Sequence, residues 1–229
     1  MSLKKWEDLP EFLRTDAVRP YYDCLAARKG SIAAVRCMDA ALSAVMLVLL
    51  SPVFLALAVA IKVDSPGPVF YRQVRVTRYG EEFRIFKFRS MVSDADQRGT
   101  LVTVSGDSRI TRVGGFIRKY RLDELCQLID VLRGTMTFVG TRPEVPKYVA
   151  AYTPEMLATL LLPAGVTSRA SILYKDEAEL LDAAEDVDAV YIRDVLPGKM
   201  KYNLEELKHF SIRSNIRTMV QTVLAVLGR

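Results

Sequence analysis

Asp123 and Glu124 are adjacent carboxylates at the start of an apolar stretch with helical spacing, LDELCQLIDVLR. An acidic pair in a first helical turn is commonly no more than a favourable partner for the helix dipole. Here the pair follows a run of cations, Arg109, Arg112, Arg118, Lys119 and Arg121. A helix N-terminus with clustered arginine is suited to phosphate. Two carboxylates in that setting can hold Mg²⁺ and attack phosphorus. Further cations sit in two other motifs. In FKFRSM, Lys87 and Arg89 alternate with Phe86 and Phe88, so on a strand the two cations share one face. This also describes an ordinary amphipathic edge strand. In VGTRPE, Pro143 biases Arg142 towards an extended backbone, from which a guanidinium can grip phosphate through two donors; a plain surface turn is the alternative. His209 reads as a boundary residue of the last helix, and Cys126 as buried and inert between leucines.

Four elements must position these groups. A probable β-hairpin lies within 66–88, turning at Tyr79-Gly80. Leu122 to Arg133 reads as a short helix with Leu122, Leu125, Leu128, Ile129 and Leu132 on its core face and Gly134 as its stop. Thr153-Pro154-Glu155 opens a further helix, with Thr153 as N-cap. Leu204 to Leu227 reads as a final amphipathic helix. Its stripe of Ile212, Ile216, Met219, Val220, Val223 and Leu227 is expected to pack on the domain, with contact to lipid as the alternative.

Cys37 to Ile61 is apolar and long enough to cross a bilayer. Ser51-Pro52 falls in its middle, where proline removes a backbone hydrogen bond and the serine hydroxyl can bond a freed carbonyl. Both flanks are basic: Arg28, Lys29 and Arg36 before, Lys62, Arg72, Arg75 and Arg78 after. The positive-inside rule places both ends on one side, which favours a re-entrant helix over a spanning or buried one. Residues 1–35 interleave Trp6, Phe12, Tyr21 and Tyr22 with Lys and Arg; they suit a membrane interface or, equally, a cap on the soluble part. The segment 1–29 carries early acids and does not read as a signal peptide.

Composition narrows the partners. The chain has 229 residues, a formal charge of +5 and 50% hydrophobic residues. The basic balance points to anionic lipid, phosphorylated substrates or nucleic acid, but no nucleic-acid motif is present. Three scattered cysteines and one histidine argue against a disulfide framework and a zinc or multi-histidine site.

The order of motifs is an apolar helix with a central Ser-Pro, then DSPGPVFYRQVR, FKFRSM, RITRVGGFIRKYRLDELCQL and FVGTRPE. In this order it resembles the bacterial sugar transferases, the monotopic polyprenyl-phosphate phosphoglycosyl transferases. The match is strong from Arg36 to Ala150, and LLPAGVTSRASILYKDE looks like a variant of the family's PGITG-type segment. The resemblance implies an α+β, helix-rich chain: an interfacial segment over 1–35, a re-entrant membrane helix over 36–62 broken at Ser51-Pro52, and a small mixed α/β cytoplasmic domain over 63–229. It implies Asp123 as nucleophile, Glu124 as Mg²⁺ ligand, and Lys87, Arg118 and Arg142 around the phosphates, with Arg89 and Arg112 as further candidates. It also implies a UDP-sugar donor, a polyprenyl phosphate acceptor and residence at the cytoplasmic face of a bacterial inner membrane, with a homodimer plausible. The sequence departs from the family pattern at Cys126, Thr135, Thr141, Pro163-Ala164 and Asn215, which bears on the sugar pocket rather than on Asp123 and Glu124. A non-catalytic membrane-surface binding protein is the alternative reading.

Overall fold

The computed structural model describes residues 2–95, 107–174 and 186–227. Residues 175–177, the end of the expected PGITG-type variant, lie outside them. The chain is helix-rich α+β. After short 3-10 turns come α1 (Arg19–Ala26), α2 (Lys29–Leu49) and α3 (Ser51–Asp64), then the hairpin β1 (Phe70–Val76) and β2 (Glu82–Phe88). α4 (Arg112–Lys119), α5 (Leu128–Arg133), β3 (Met136–Val139), α6 (Pro146–Val149), β4 (Ala164–Thr167) and α7 (Arg169–Leu173) follow. α8 (Val187–Val190), α9 (Leu196–Lys208) and α10 (Ile212–Leu227) close the chain.

The apolar segment is a pair of helices whose break falls at Ser51-Pro52, as the sequence predicts. Pro52 occupies the first turn of α3, where a missing N–H costs nothing. The Ser51 hydroxyl donates to the Val48 carbonyl at 2.8 Å, serving an acceptor left open at the end of α2. A straight helix through this stretch would separate its ends by about 50 Å. Both limbs instead dock on the same body. Ile32 and Val35 of α2 are buried, and the Arg36 guanidinium donates to the Val131 and Leu132 carbonyls at the end of α5. Leu57 and Ile61 of α3 pack with Phe88, Ile117 and Cys126, and Asp64 accepts from the Val113 N–H at the start of α4. Around the bend, Val48, Leu49 and Leu55 are exposed. Among the described residues, α2 is the helix long and apolar enough to cross a membrane.

The N-terminal segment caps the domain. Leu3, Leu9, Leu13, Val18, Tyr21, Tyr22 and Leu25 are buried in one cluster with Leu160, Leu161, Leu204 and Leu207. Their apolar area is thus spent on the protein, which favours the capping alternative over the interfacial one.

The hairpin pairs Phe70 with Phe88 and Val76 with Glu82, and its turn carries Tyr79 (φ 61°) and Gly80 (φ 80°). β3 and β4 form a separate parallel pair. Gly165 makes that pair possible, because a Cβ there would lie 2.2 Å from the Gly140 backbone nitrogen. Gly165→Ala should therefore destabilise the fold by about 3 kcal/mol, lowering Tm by roughly 6–12 °C in a thermal melt. An unchanged Tm would show that the two strands can part at no cost.

Three expectations need correction. Residues 122–133 are not one α-helix: Leu122–Gln127 is 3-10, with α5 following to Gly134 (φ 86°). The three-residue period rotates the face, so Cys126 and Val131 are fully buried while Leu132 is exposed. The helix expected from Thr153 is a 3-10 turn, Met156–Leu161, with Thr153 Oγ1 accepting from the Met156 N–H. The final helix is broken, with His209 as the C-cap of α9. Of its apolar stripe Met219 packs on the core, but most of the rest points the other way. Asn215 and Thr218 are buried, whereas Ile212, Ile216, Val220 and Val223 are exposed. The docked face is polar because its hydroxyls find partners: Thr222 bonds Thr167 at 2.8 Å and Thr218 donates to Glu206 at 3.3 Å.

Candidate active site

Five pieces of chain meet at a cleft of about 380 Å³: the hairpin, the strand-exit residues after Phe88, the stretch of Arg109 and α4 that carries Arg118, the 3-10 turn at 122–127 with Arg121 before it, and the loop after β3. Lys87, Arg118, Asp123, Glu124 and Arg142 all line it, so residues 55 positions apart in sequence share one wall-to-wall space. β2 supplies Lys87 on the face opposite Phe86 and Phe88. Phe88 is buried beneath the cleft, stacked on Phe70.

Glu124 is held by two cations. Its Oε1 accepts from Arg142 Nη2 at 2.6 Å and lies 3.5 Å from Lys87 Nζ. Burial pushes its carboxyl up, but Arg142 and Lys87 outweigh that and hold it well below the usual carboxylate range. Asp123 goes the other way. Burial and the neighbouring Glu124 charge raise it, against the pull of Lys87 and Arg118. Burial likewise lowers Lys87, opposed by Glu124. Two adjacent carboxylates with pKa values driven apart have separate jobs. Glu124 is fixed and ionised. Asp123 makes no hydrogen bond or salt bridge to another side chain among the described residues and is the more basic of the two carboxylates.

Arg89 and Arg112 are placed differently from these. Arg89 borders the cleft, but its guanidinium donates to the carbonyls of Ser65 (2.7 Å) and Pro66 (2.5 Å), closing the end of α3. It braces the apolar helix pair rather than offering a free phosphate grip. Arg112 is exposed at the first residue of α4 and does not line the cleft. Two further cations line it, Arg75, which the motifs did not single out, and Arg121, which belongs to the run of cations before Asp123. Arg75 on β1 donates to Gln73 Oε1 at 2.6 Å and to the Pro143 carbonyl at 3.0 Å, steadying the loop that carries Arg142. Its alternation with Val74 and Val76 was the available signal. Arg121, at the start of the 3-10 turn, adopts φ 52°, a left-handed backbone that a non-glycine residue rarely takes. Thr135, Thr141, Pro163 and Asn215 do not line the cleft; Thr135 instead donates to the Asp130 carbonyl at the end of α5.

Among the described residues no three His, Cys, Asp or Glu side chains gather into a metal cluster. Two hard carboxylates alone are nevertheless a suitable protein share for Mg²⁺, which takes one or two carboxylates and completes its shell with water and substrate phosphate. The donor set therefore fits a divalent ion that arrives with a phosphorylated ligand. A free carboxylate facing four cations, Lys87, Arg118, Arg121 and Arg142, can attack an anhydride phosphorus whose charge those cations neutralise.

The sequence model of the family described as "Bacterial sugar transferase" matches residues 31–229. The UDP-N-acetylgalactosamine-undecaprenyl-phosphate N-acetylgalactosaminephosphotransferase of Aeromonas hydrophila is 35% identical over 196 residues, covering 84% of this chain and 43% of the relative. A UDP-glucose:undecaprenyl-phosphate glucose-1-phosphate transferase of Xanthomonas campestris pv. campestris is 34% identical over 197 residues, covering 83% and 38%. The exopolysaccharide production protein PSS of Rhizobium leguminosarum bv. phaseoli is 44% identical over 108 residues, covering 47% and 54%. The chain spans about two fifths of the length of the first two relatives.

Proposed function

Since this chain belongs to the bacterial sugar transferase family, we propose that it moves a sugar 1-phosphate from a UDP-sugar to undecaprenyl phosphate. The observation that carries this reading is the Asp123 carboxylate, bonded to no other side chain among the described residues, beside a cation-locked Glu124 in a cleft lined with guanidinium groups. In the first step an Asp123 oxygen bonds to the sugar-bearing phosphorus, the anhydride P–O bond breaks, and UMP leaves with the electron pair. In the second, an oxygen of the lipid phosphate bonds to the same phosphorus and the Asp123–phosphorus bond breaks. Asp123 returns as a carboxylate, and the product is a polyprenyl diphosphate sugar.

Lys87, Arg118 and Arg142 neutralise the phosphates, which removes the like-charge barrier to a carboxylate attack. Glu124, with Asp123, would hold Mg²⁺. The ion would supply further neutralisation of the diphosphate. Glu124 also keeps Arg142 in place through the 2.6 Å contact.

The helix pair fits a re-entrant membrane anchor, with the bend at Ser51-Pro52 in the lipid and both limbs returning to a domain at the cytoplasmic face. The exposed Val48, Leu49 and Leu55 and the outward stripe of α10 would then meet lipid rather than water. Glycan assembly on the membrane is the process this product feeds.

The test is intact-protein mass spectrometry of the detergent-purified chain, incubated with Mg²⁺ and a panel of UDP-sugars without acceptor. A mass gain of one sugar phosphate is expected. No gain with any donor, together with no UMP release once undecaprenyl phosphate is added, would overturn the reading.

A further inference from the structure

A second cavity of about 240 Å³ lies behind the Glu124–Arg142 pair. Arg121, Glu124 and Arg142 line both cavities, while Asp123 lines the first only. The two spaces differ in chemistry. The first carries both carboxylates and the cations Arg75, Lys87, Arg109 and Arg118 beside the shared pair, with Phe70, Phe88, Met91 and Val92 at its apolar end. The second is walled by Met46 of α2, Phe138 of β3, Val166 of β4, and Ala225 and Val226 of α10. Its polar atoms are partly satisfied internally, since the Thr167 and Thr222 hydroxyls bond each other at 2.8 Å.

We propose that this second cavity is the seat of the acceptor, taking the first prenyl units of the lipid phosphate between α2, β4 and α10 while Arg121 and Arg142 receive its phosphate. The inference rests on the transferase reading above and deepens it. An anionic head on a hydrocarbon tail matches a cationic mouth on an apolar hollow. A nucleotide sugar, polar throughout, would leave those walls in contact with nothing apolar. The walls also share helices with exposed apolar residues. Met46 lies on the same helix as exposed Val45, Val48 and Leu49, and Val226 is itself exposed on α10 beside Leu224 and Leu227. A chain that lies in the bilayer could enter without crossing water. In-line displacement brings the acceptor oxygen to the phosphorus opposite Asp123, at the position UMP has vacated, and Arg121 and Arg142, which line both cavities, would pass the lipid phosphate from the second cavity into that position.

The test separates the two half-reactions. Native chain, Val226→Trp and Ala225→Trp are first loaded with the UDP-sugar that gives the mass adduct, then chased with undecaprenyl phosphate. The expected result is an adduct at native level, which also reports an intact fold, and a chase slowed at least about tenfold through a raised KM for the lipid. A native chase rate in a variant with a native adduct overturns the inference. Val226→Trp, at an exposed position, keeps the test decisive if Ala225→Trp fails to fold. If native chain forms no adduct and releases no UMP with undecaprenyl phosphate, the transferase reading itself fails, and binding is read without turnover by photolabelling with a farnesyl phosphate bearing a terminal benzophenone. Label on peptides of β4 and α10 supports the seat. Label confined elsewhere, or crosslinks between two copies of the chain through Val226→Cys, overturns it.

Discussion

Asp123→Asn is expected to abolish the sugar-phosphate adduct and to lower turnover by about 10³-fold or more, the scale seen when a covalent nucleophile is removed. The amide keeps the shape of the carboxylate but exchanges one acceptor oxygen for an NH2 donor, loses the charge and cannot attack phosphorus. The fold should be unaffected, because the Asp123 side chain bonds to no other side chain among the described residues. Retention of the adduct in this variant would place the nucleophile elsewhere. The same residue sets the acid limb of the pH profile. Asp123 must be ionised to attack, and burial together with the Glu124 charge raises its pKa. Adduct formation should therefore fade as pH falls at a higher pH than an ordinary carboxylate would give. Glu124→Gln removes the neighbouring negative charge and leaves Lys87 and Arg142 uncompensated, so the acid limb should move to lower pH even as the maximum rate drops. A limb that stays put in rapid-quench measurements of UMP release would mean that another group titrates.

Arg142 carries the second large effect. Its two terminal nitrogens face the two Glu124 oxygens, one at 2.6 Å and the other at 3.5 Å. Arg142→Ala should cost about 10²- to 10³-fold in turnover, since it removes one donor to the phosphate charge and releases Glu124 from its clamp. Arg142→Lys keeps the charge but not the planar fork, and should recover only part of the rate. Both are read as kcat with saturating donor and acceptor. Full activity of the lysine variant would show that Arg142 acts as a point charge only.

Much of this layout was legible from residue order. Proline in an apolar run marked the bend, Tyr79-Gly80 marked the hairpin turn, and Gly134 marked the end of α5, because each rests on a local backbone constraint that no distant contact overrides. The Asp123-Glu124 pair and its cations were visible as chemistry. The misplacements came from tertiary choices. Arg89 alternates correctly for the site, yet the open carbonyls at the end of α3 claim its donors. The stripe of α10 has the right period for a core face, but Thr222 and Thr218 find hydroxyl and carboxylate partners inside, and most of the apolar residues turn outward. The split of 122–133 into a 3-10 turn and α5 could not be read from leucine spacing, which suits either helix over so few residues.

Arg121 spends backbone energy to stand where it does. Its left-handed φ of 52° costs on the order of 1 kcal/mol for a side chain with a Cβ, and glycine would relieve that strain. Selection for heat tolerance alone should therefore favour Arg121→Gly, which melts later yet transfers sugar more slowly because both cavities lose a shared cation. In directed evolution of this scaffold, the position is a conflict point at which robustness and turnover must be selected together, or the first will erode the second.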